Sequence, residues 1–184
     1  MDLNSINTIA VAGAGTMGIG IGQMAAQAGF KTILFDLSDE ALQKAKNQIQ
    51  KNTDKGIEKG KLSAEKQKQI FDKLSFTSNI NELKADLLIE AIVEKLEPKV
   101  ALFEKVAELN GPHCILASNT SSIPISKIAA QVQYPERIVG MHFFNPAHIM
   151  KLVEIISGAA TASAVAQTVF ELAERMNKKP VFAN

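Results

Sequence analysis

Three clusters in this 184-residue chain combine residue types and spacings that could do chemistry. His142 stands in Gly140-Met141-His142-Phe143-Phe144-Asn145-Pro146, and Glu154 lies twelve residues on, inside the apolar run 152–156. A carboxylate in such a run is costly to bury unless it is paired. A carboxylate that holds an imidazole and supports its charged form makes a general base. If the two strands are adjacent, Glu154 can reach His142; otherwise Glu154 faces solvent at a sheet edge and His142 is an ordinary structural histidine. The second cluster, Ser118-Asn119-Thr120-Ser121-Ser122, follows a strand ending at Ala117. Polar residues beyond a strand's C-terminal end fall where open α/β sheets bind ligands, although the same residues could simply cap the helix near 124–130.

The third cluster is Gly13-Ala14-Gly15-Thr16-Met17-Gly18. It follows the apolar run Ile9-Ala10-Val11-Ala12 and opens an alanine- and glycine-rich helix; Asp36 ends the next apolar run, Thr32-Ile33-Leu34-Phe35. Strand, Gly-x-Gly-x-x-Gly, helix, strand, acid is a dinucleotide-binding arrangement. Gly13 permits the tight turn, Gly15 lets backbone approach a pyrophosphate, and Gly18 lets the helix lie close on the strand. The helix start, with Thr16 and Met17, offers unpaired N–H groups and a positive dipole end to phosphate. Asp36 can accept hydrogen bonds from ribose hydroxyls and would repel a 2′-phosphate, which favours NAD over NADP.

The elements that must position these residues alternate from end to end, the pattern of an α/β fold with a mainly parallel sheet. Strands are expected near 7–12, 32–35, 74–77, 87–91, 114–117, 138–140, 152–156 and 181–182. Helices are expected over 16–28, where Gly29 supplies the C-terminal cap, from Ser38, from Ser63, over the 3.6-period run Leu96, Val100, Phe103, Val106, and through Val165, Val169, Leu172 and Met176. The connection after Asp36 is too long for a normal crossover and reads as a projecting two-helix arm over about 38–74. Between Lys44 and Lys73 it holds nine lysines against four acids. Such a face is either a solvated surface or a landing site for a polyphosphate handle.

Composition excludes several classes. Net charge is +1, so neither nucleic acid nor a membrane surface is an implied partner. No apolar stretch is long enough to span a bilayer, and no secretory or Arg-rich leader pattern opens the chain. Cys114 is the single cysteine and reads as a buried apolar side chain, consistent with a reducing compartment. A soluble, cytoplasmic location is expected. No Cys/His spacing suits zinc, and no metal is expected. His113, after Gly111-Pro112, reads as a surface turn residue, and His148 has no carboxylate in a comparable apolar run.

The glycine turn, Glu90-Ala91-Ile92-Val93-Glu94, Ser118–Ser122, His142-Phe143-Phe144-Asn145-Pro146 and Leu152-Val153-Glu154 together resemble the L-3-hydroxyacyl-CoA dehydrogenases, in their order and spacing and across essentially the whole chain. The resemblance is strongest to the short bacterial 3-hydroxybutyryl-CoA dehydrogenases. It implies a Rossmann-type doubly wound domain over 1–184 and oxidation of an (S)-3-hydroxyacyl-CoA by NAD. By carry-over, His142 takes the hydroxyl proton, Glu154 orients it, Ser121 hydrogen-bonds the reacting oxygen, and Asn145 holds the thioester or the nicotinamide. Glu94 and Lys99 fall at positions that contact the cofactor, as does Asn119 beside Ser121. Lys59 and Asn52 match CoA-contacting positions in the arm, with Asn52 replacing a serine found in some relatives. Members of the family continue into an all-helical domain that forms a homodimer, closes over the substrate and contributes another asparagine in an Asp-x-Pro-Gly-Phe-x-x-Asn-Arg segment. The expectation is therefore a chain without that domain, monomeric or non-natively associated, that binds NAD and turns substrate over poorly. The alternatives are a related dehydrogenase of a non-CoA hydroxy acid and a non-catalytic NAD-binding module.

Overall fold

A computed structural model describes residues 2–183. Its centre is an eight-stranded sheet of order β3-β2-β1-β4-β5-β6-β7-β8, formed by β1 (Thr8–Ala12), β2 (Lys31–Phe35), β3 (Leu74–Thr77), β4 (Leu87–Glu90), β5 (Ile115–Ser118), β6 (Ile138–Phe143), β7 (Leu152–Ser157) and β8 (Lys179–Ala183). The first six strands run parallel. β7 pairs antiparallel to β6, and β8 pairs parallel to β7. The order 3-2-1-4-5-6 of the parallel part is that of a Rossmann-type fold, with its crevice where β1 and β4 part.

Side-chain alternation assigns the layers. Ile9 and Val11 of β1 join one buried cluster with α1 (Thr16–Gln27), α2 (Asp39–Glu58) and α6 (Ser163–Arg175). Ala10 and Ala12 join another with α4 (Leu96–Asn110) and α5 (Ile125–Ala129) on the opposite face. Strands covered on both faces must be apolar throughout, which is why β1, β4 and β5 read as continuous hydrophobic runs. α2 begins at Ser38, whose hydroxyl accepts from Ala41 N, and α3 (Ala64–Lys73) begins at Ser63 in the same way; these are ordinary N-caps.

The segment after β2 is a helical hairpin as the spacing predicts, but it does not project. Leu42, Ala45 and Ile49 of α2 are buried, and both helices pack on α1. An apolar stripe of that width needs a surface to cover, and α1 supplies it. Strand limits also differ from the sequence expectation. β5 lies one residue further on, while β6 and β8 are longer, because a neighbouring ladder extends pairing past the apolar residues. Lys179 and Pro180 enter β8 in this way; as an edge strand it tolerates proline.

Candidate active site

Two turns close the upper end of the sheet. After β1, Gly13 adopts φ +103° and donates to Phe35 O of β2; a Cβ there would lie 2.5 Å from Ala91 O. A Cβ on Gly18 would sit 1.7 Å from Gly13 O. Both positions therefore admit only glycine, and α1 can press its first turn onto the end of β1. Gly15 is its N-cap and offers no side-chain partner. The first N–H groups of α1, including those of Thr16 and Met17, thus lack an intrahelical acceptor and face the crevice.

Asp36 follows β2. One carboxylate oxygen accepts Ala14 N at 2.8 Å and the other accepts Ser38 N at 3.0 Å. Asp36 thus fixes the glycine turn as well as fronting the crevice. A carboxylate with one bond on each oxygen retains acceptor capacity, so a ribose hydroxyl can still be held. Gly13, Gly15, Asp36, Ile92, Pro98 and Leu102 are among the residues lining a cavity of about 540 Å³ at this point, and its walls are largely apolar. An apolar slot beside an N–H cradle and an acid fits an adenosine and its pyrophosphate.

The second turn follows β4 and β5. Glu90 and Lys99 are each 0% exposed. Lys99 Nζ contacts Glu90 Oε1 and lies 3.1 Å from Glu94 Oε2. Glu90 also accepts Ile92 N at 2.8 Å and the Ser118 hydroxyl at 2.7 Å. Glu94 Oε1 gathers the next turn, accepting the Thr120 hydroxyl, Ser121 N at 3.0 Å, Ser122 N at 3.1 Å and the Ser122 hydroxyl at 3.0 Å. Burial pushes the Glu94 carboxyl up, but the Thr120 and Lys99 hydrogen bonds, the Lys99 charge and the Ser122 hydroxyl outweigh it and bring it down to about 2. Lys99, expected to contact the cofactor, is placed by this geometry behind Glu94. Its ammonium is enclosed in protein and spent on two carboxylates, and Glu94 alone reaches the surface. Glu90, Ser118 and Thr120 support these turns, a role the sequence did not assign although its motifs include all three. The one available signal was a glutamate closing the otherwise apolar run Leu87-Leu88-Ile89.

β6 and β7 meet the condition set by the sequence. They are adjacent and antiparallel, His142 lies directly opposite Glu154, and Nδ1 is 2.9 Å from Glu154 Oε2. Phe144 packs against the imidazole with centroids 4.8 Å apart. Ser121, Thr120, Ile125, His142 and Glu154 border one cleft of about 300 Å³, so the Ser121 turn and the imidazole share a space. Asn119 Oδ1 accepts Phe143 N at 2.8 Å, tying the β5 turn to the end of β6. Asn145 is exposed just past β6.

The two arm residues are not brought together. Asn52 donates to Gln23 Oε1 at 2.9 Å and borders a cleft with Thr16, Gly20, Lys44 and Gln48. Lys59 caps α2 seven residues further on, about 10 Å along the helix, and is exposed outside that cleft. Cys114 is buried, and burial and the Asp86 charge push its thiol up to about 12, which leaves it inert. Among the described residues no three His, Cys, Asp or Glu side chains could hold a metal, and no helix is long and apolar enough to cross a membrane.

Known proteins match this chain over nearly its whole length. The family described as 3-hydroxyacyl-CoA dehydrogenase, NAD binding domain, matches residues 8–184. A 3-hydroxyadipyl-CoA dehydrogenase of Escherichia coli is 46% identical over 96% of this chain and 38% of its own length. A probable 3-hydroxybutyryl-CoA dehydrogenase of Bacillus subtilis is 43% identical over 97% of this chain and 63% of its own. The crystal structure of (S)-3-hydroxybutyryl-CoA dehydrogenase from Ralstonia eutropha superposes with a TM-score of 0.94 at 37% identity, over 97% of this chain and 63% of that one. The chain thus spans less than two thirds of the length of these relatives. Glycine turn, sheet order and matched residues converge: the chain belongs to the 3-hydroxyacyl-CoA dehydrogenase family, as its NAD-binding domain.

Proposed function

We propose that this chain carries the NAD site and the acid–base pair of an enzyme that oxidises an (S)-3-hydroxyacyl-CoA to the 3-ketoacyl-CoA, with 3-hydroxybutyryl-CoA as the substrate nearest to its relatives' names. The observation that carries this reading is His142 paired to Glu154 in a cleft bordered by Ser121. With Nδ1 donating to the carboxylate, Nε2 is the lone-pair nitrogen left to accept the proton of the 3-hydroxyl. Glu154 fixes that tautomer and supports the imidazolium as it forms. Ser121, its backbone held by Glu94, hydrogen-bonds the oxygen whose charge changes. Asn145, beyond β6, holds the thioester or the nicotinamide amide. The crevice beside Gly13, Gly15 and Asp36 holds the dinucleotide, which when bound supplies the hydride acceptor. Asn52 and Lys44, in the cleft over α1, meet the CoA handle, with Lys59 at its outer end.

The discriminating variant is His142→Gln. Appearance of NADH from 3-hydroxybutyryl-CoA should fall by about 10²–10⁴-fold, while calorimetric NAD affinity stays unchanged. An unaltered rate would remove the base role. Turnover by these 184 residues is expected to be low beside that of a full-length relative. NAD binding without turnover of any hydroxyacyl substrate would favour a binding module, and turnover of free hydroxy acids in preference to the thioester would favour a non-CoA dehydrogenase.

A further inference from the structure

On the far side of His148 from the α1–α2 cleft lies a second recess, of about 220 Å³. Four separate segments build it: the end of α1 through Gln27 and Ala28, α3 through Lys66, the loop after β6 through His148 and Lys151, and the end of α6 with the turn after it through Arg175 and Lys178. Four of these side chains are formally cationic and one is a histidine, and no carboxylate lines the recess. The whole chain carries a net charge of only +1, so this concentration is local.

The cations are not neutralised internally. Among the described residues, none of Lys66, Lys151, Arg175 and Lys178 enters an ion pair. Three of them are held instead by neutral groups. Lys178, 8% exposed, gives two N–H groups to Ala147 O and Met150 O. Lys151 donates to Asn177 O, and the Arg175 guanidinium lies 4.5 Å over the Phe30 ring. Carbonyls and a ring face fix the positions of these three without discharging them. A helix C-terminus attracts cations in its last turn, which accounts for Arg175 and not for Lys66, His148 and Lys151. Burial and the Lys151 charge push the Lys178 ammonium down to about 8, and burial and Lys178 push His148 down. Like charges therefore repel across the recess, and a bound anion would relieve them all.

We infer that this recess is a binding site for a phosphate group, built by Lys66, Lys151, Arg175 and Lys178 and joined through His148 to the cleft over α1. The volume suits it: it exceeds several times the roughly 30 Å³ share of one water, enough for a phosphate with part of its hydration. Arg175 offers a planar fork and the lysines offer point charges, the two common means of holding phosphate. Two sources carry such a group, the nucleotide end of a CoA thioester and free phosphate. Only the first source rests on the function proposed above.

The test is a titration of the 184-residue protein at constant ionic strength, following the ring protons of His148 by NMR, with His113 as a reference. Inorganic phosphate, adenosine 3′,5′-bisphosphate, CoA and dephospho-CoA are the probes. Expected is a saturable His148 shift whose dissociation constant rises at least tenfold in the Lys66→Gln/Lys151→Gln variant. Lys151 is exposed and Lys66 half-buried, and a cooperative thermal melt verifies folding of the variant; the charge-reversed pair Lys66→Glu/Lys151→Glu should abolish the shift. A tenfold loss for CoA but not for dephospho-CoA assigns the site to the 3′-phosphate of the nucleotide. A loss with inorganic phosphate but with none of the three nucleotides assigns it to free phosphate. No saturable shift with any probe, or one indifferent to both variants, overturns the inference. Neither result depends on NAD binding, and an inactive His142 would leave the inorganic phosphate arm standing.

Discussion

Twice at the same end of one sheet a basic side chain is paired with a carboxylate, and the two pairs are used in opposite ways. Lys99 and Glu90 are sealed from solvent, and their remaining valences go to Ile92 N, Ser118 and Glu94. His142 and Glu154 are half-buried, with side chains 19% and 33% exposed, and one imidazole nitrogen stays uncommitted at a cleft. Enclosure with every bond satisfied makes a scaffold. A partner on one side and a vacancy on the other makes a reagent. Pairing alone therefore says little about role; the valences left over do.

That contrast can be broken by removing one member of each pair. In Lys99→Met a fully buried Glu90 loses its cation, and breaking a buried pair in this way costs about 3–5 kcal/mol. The expected result is a large fall in the midpoint of urea unfolding. If stability were unchanged and only NAD affinity fell, Lys99 would be a cofactor ligand after all. Glu154→Gln should do the reverse: little change in stability, with a turnover loss of about 10²-fold, the low end for general-base assistance, in single-turnover NADH formation. The smallest effect concerns Glu94. Its carboxyl is held at about 2 in the folded protein against 4.5 unperturbed. Its stabilising contribution is therefore complete above pH 4.5 and is lost as pH falls through 2. Melting temperatures of the protein and of Glu94→Gln should differ at neutral pH and converge as pH is lowered across that window.

The sequence made much of the nucleotide half legible because its signals are local. Gly13, Gly15 and Gly18 sit within one turn, and Asp36 follows the very next strand, so spacing along the chain stands for spacing in the molecule. Alternating apolar runs gave the layers for the same reason. His142 and Glu154 could be singled out as suitable types, but their contact depended on β7 running back beside β6, which no residue in either strand announces. The Glu90–Lys99 pair was less visible still. Lys99 falls in the first turn of an amphipathic helix, where a lysine usually faces water, and only its fit beneath Glu94 encloses it. The basic recess was beyond reach, since Lys66, Lys151 and Lys178 belong to segments far apart in the chain.

The reversal between β6 and β7 sets a counting rule for the residues that join them. Successive side chains of a strand alternate between faces, so a shift of one position turns every side chain over. Lys178, gripping the carbonyls of Ala147 and Met150, pins the path of this connection from below. Positions of this connection that touch neither the imidazole nor the two recesses beside His148 are thus exchanged far more safely than one is added or deleted. An inserted residue that the pinned connection passed on to β7 would carry Glu154 to the opposite side of the sheet, leaving the imidazole without its anchor while every residue of the pair is still present.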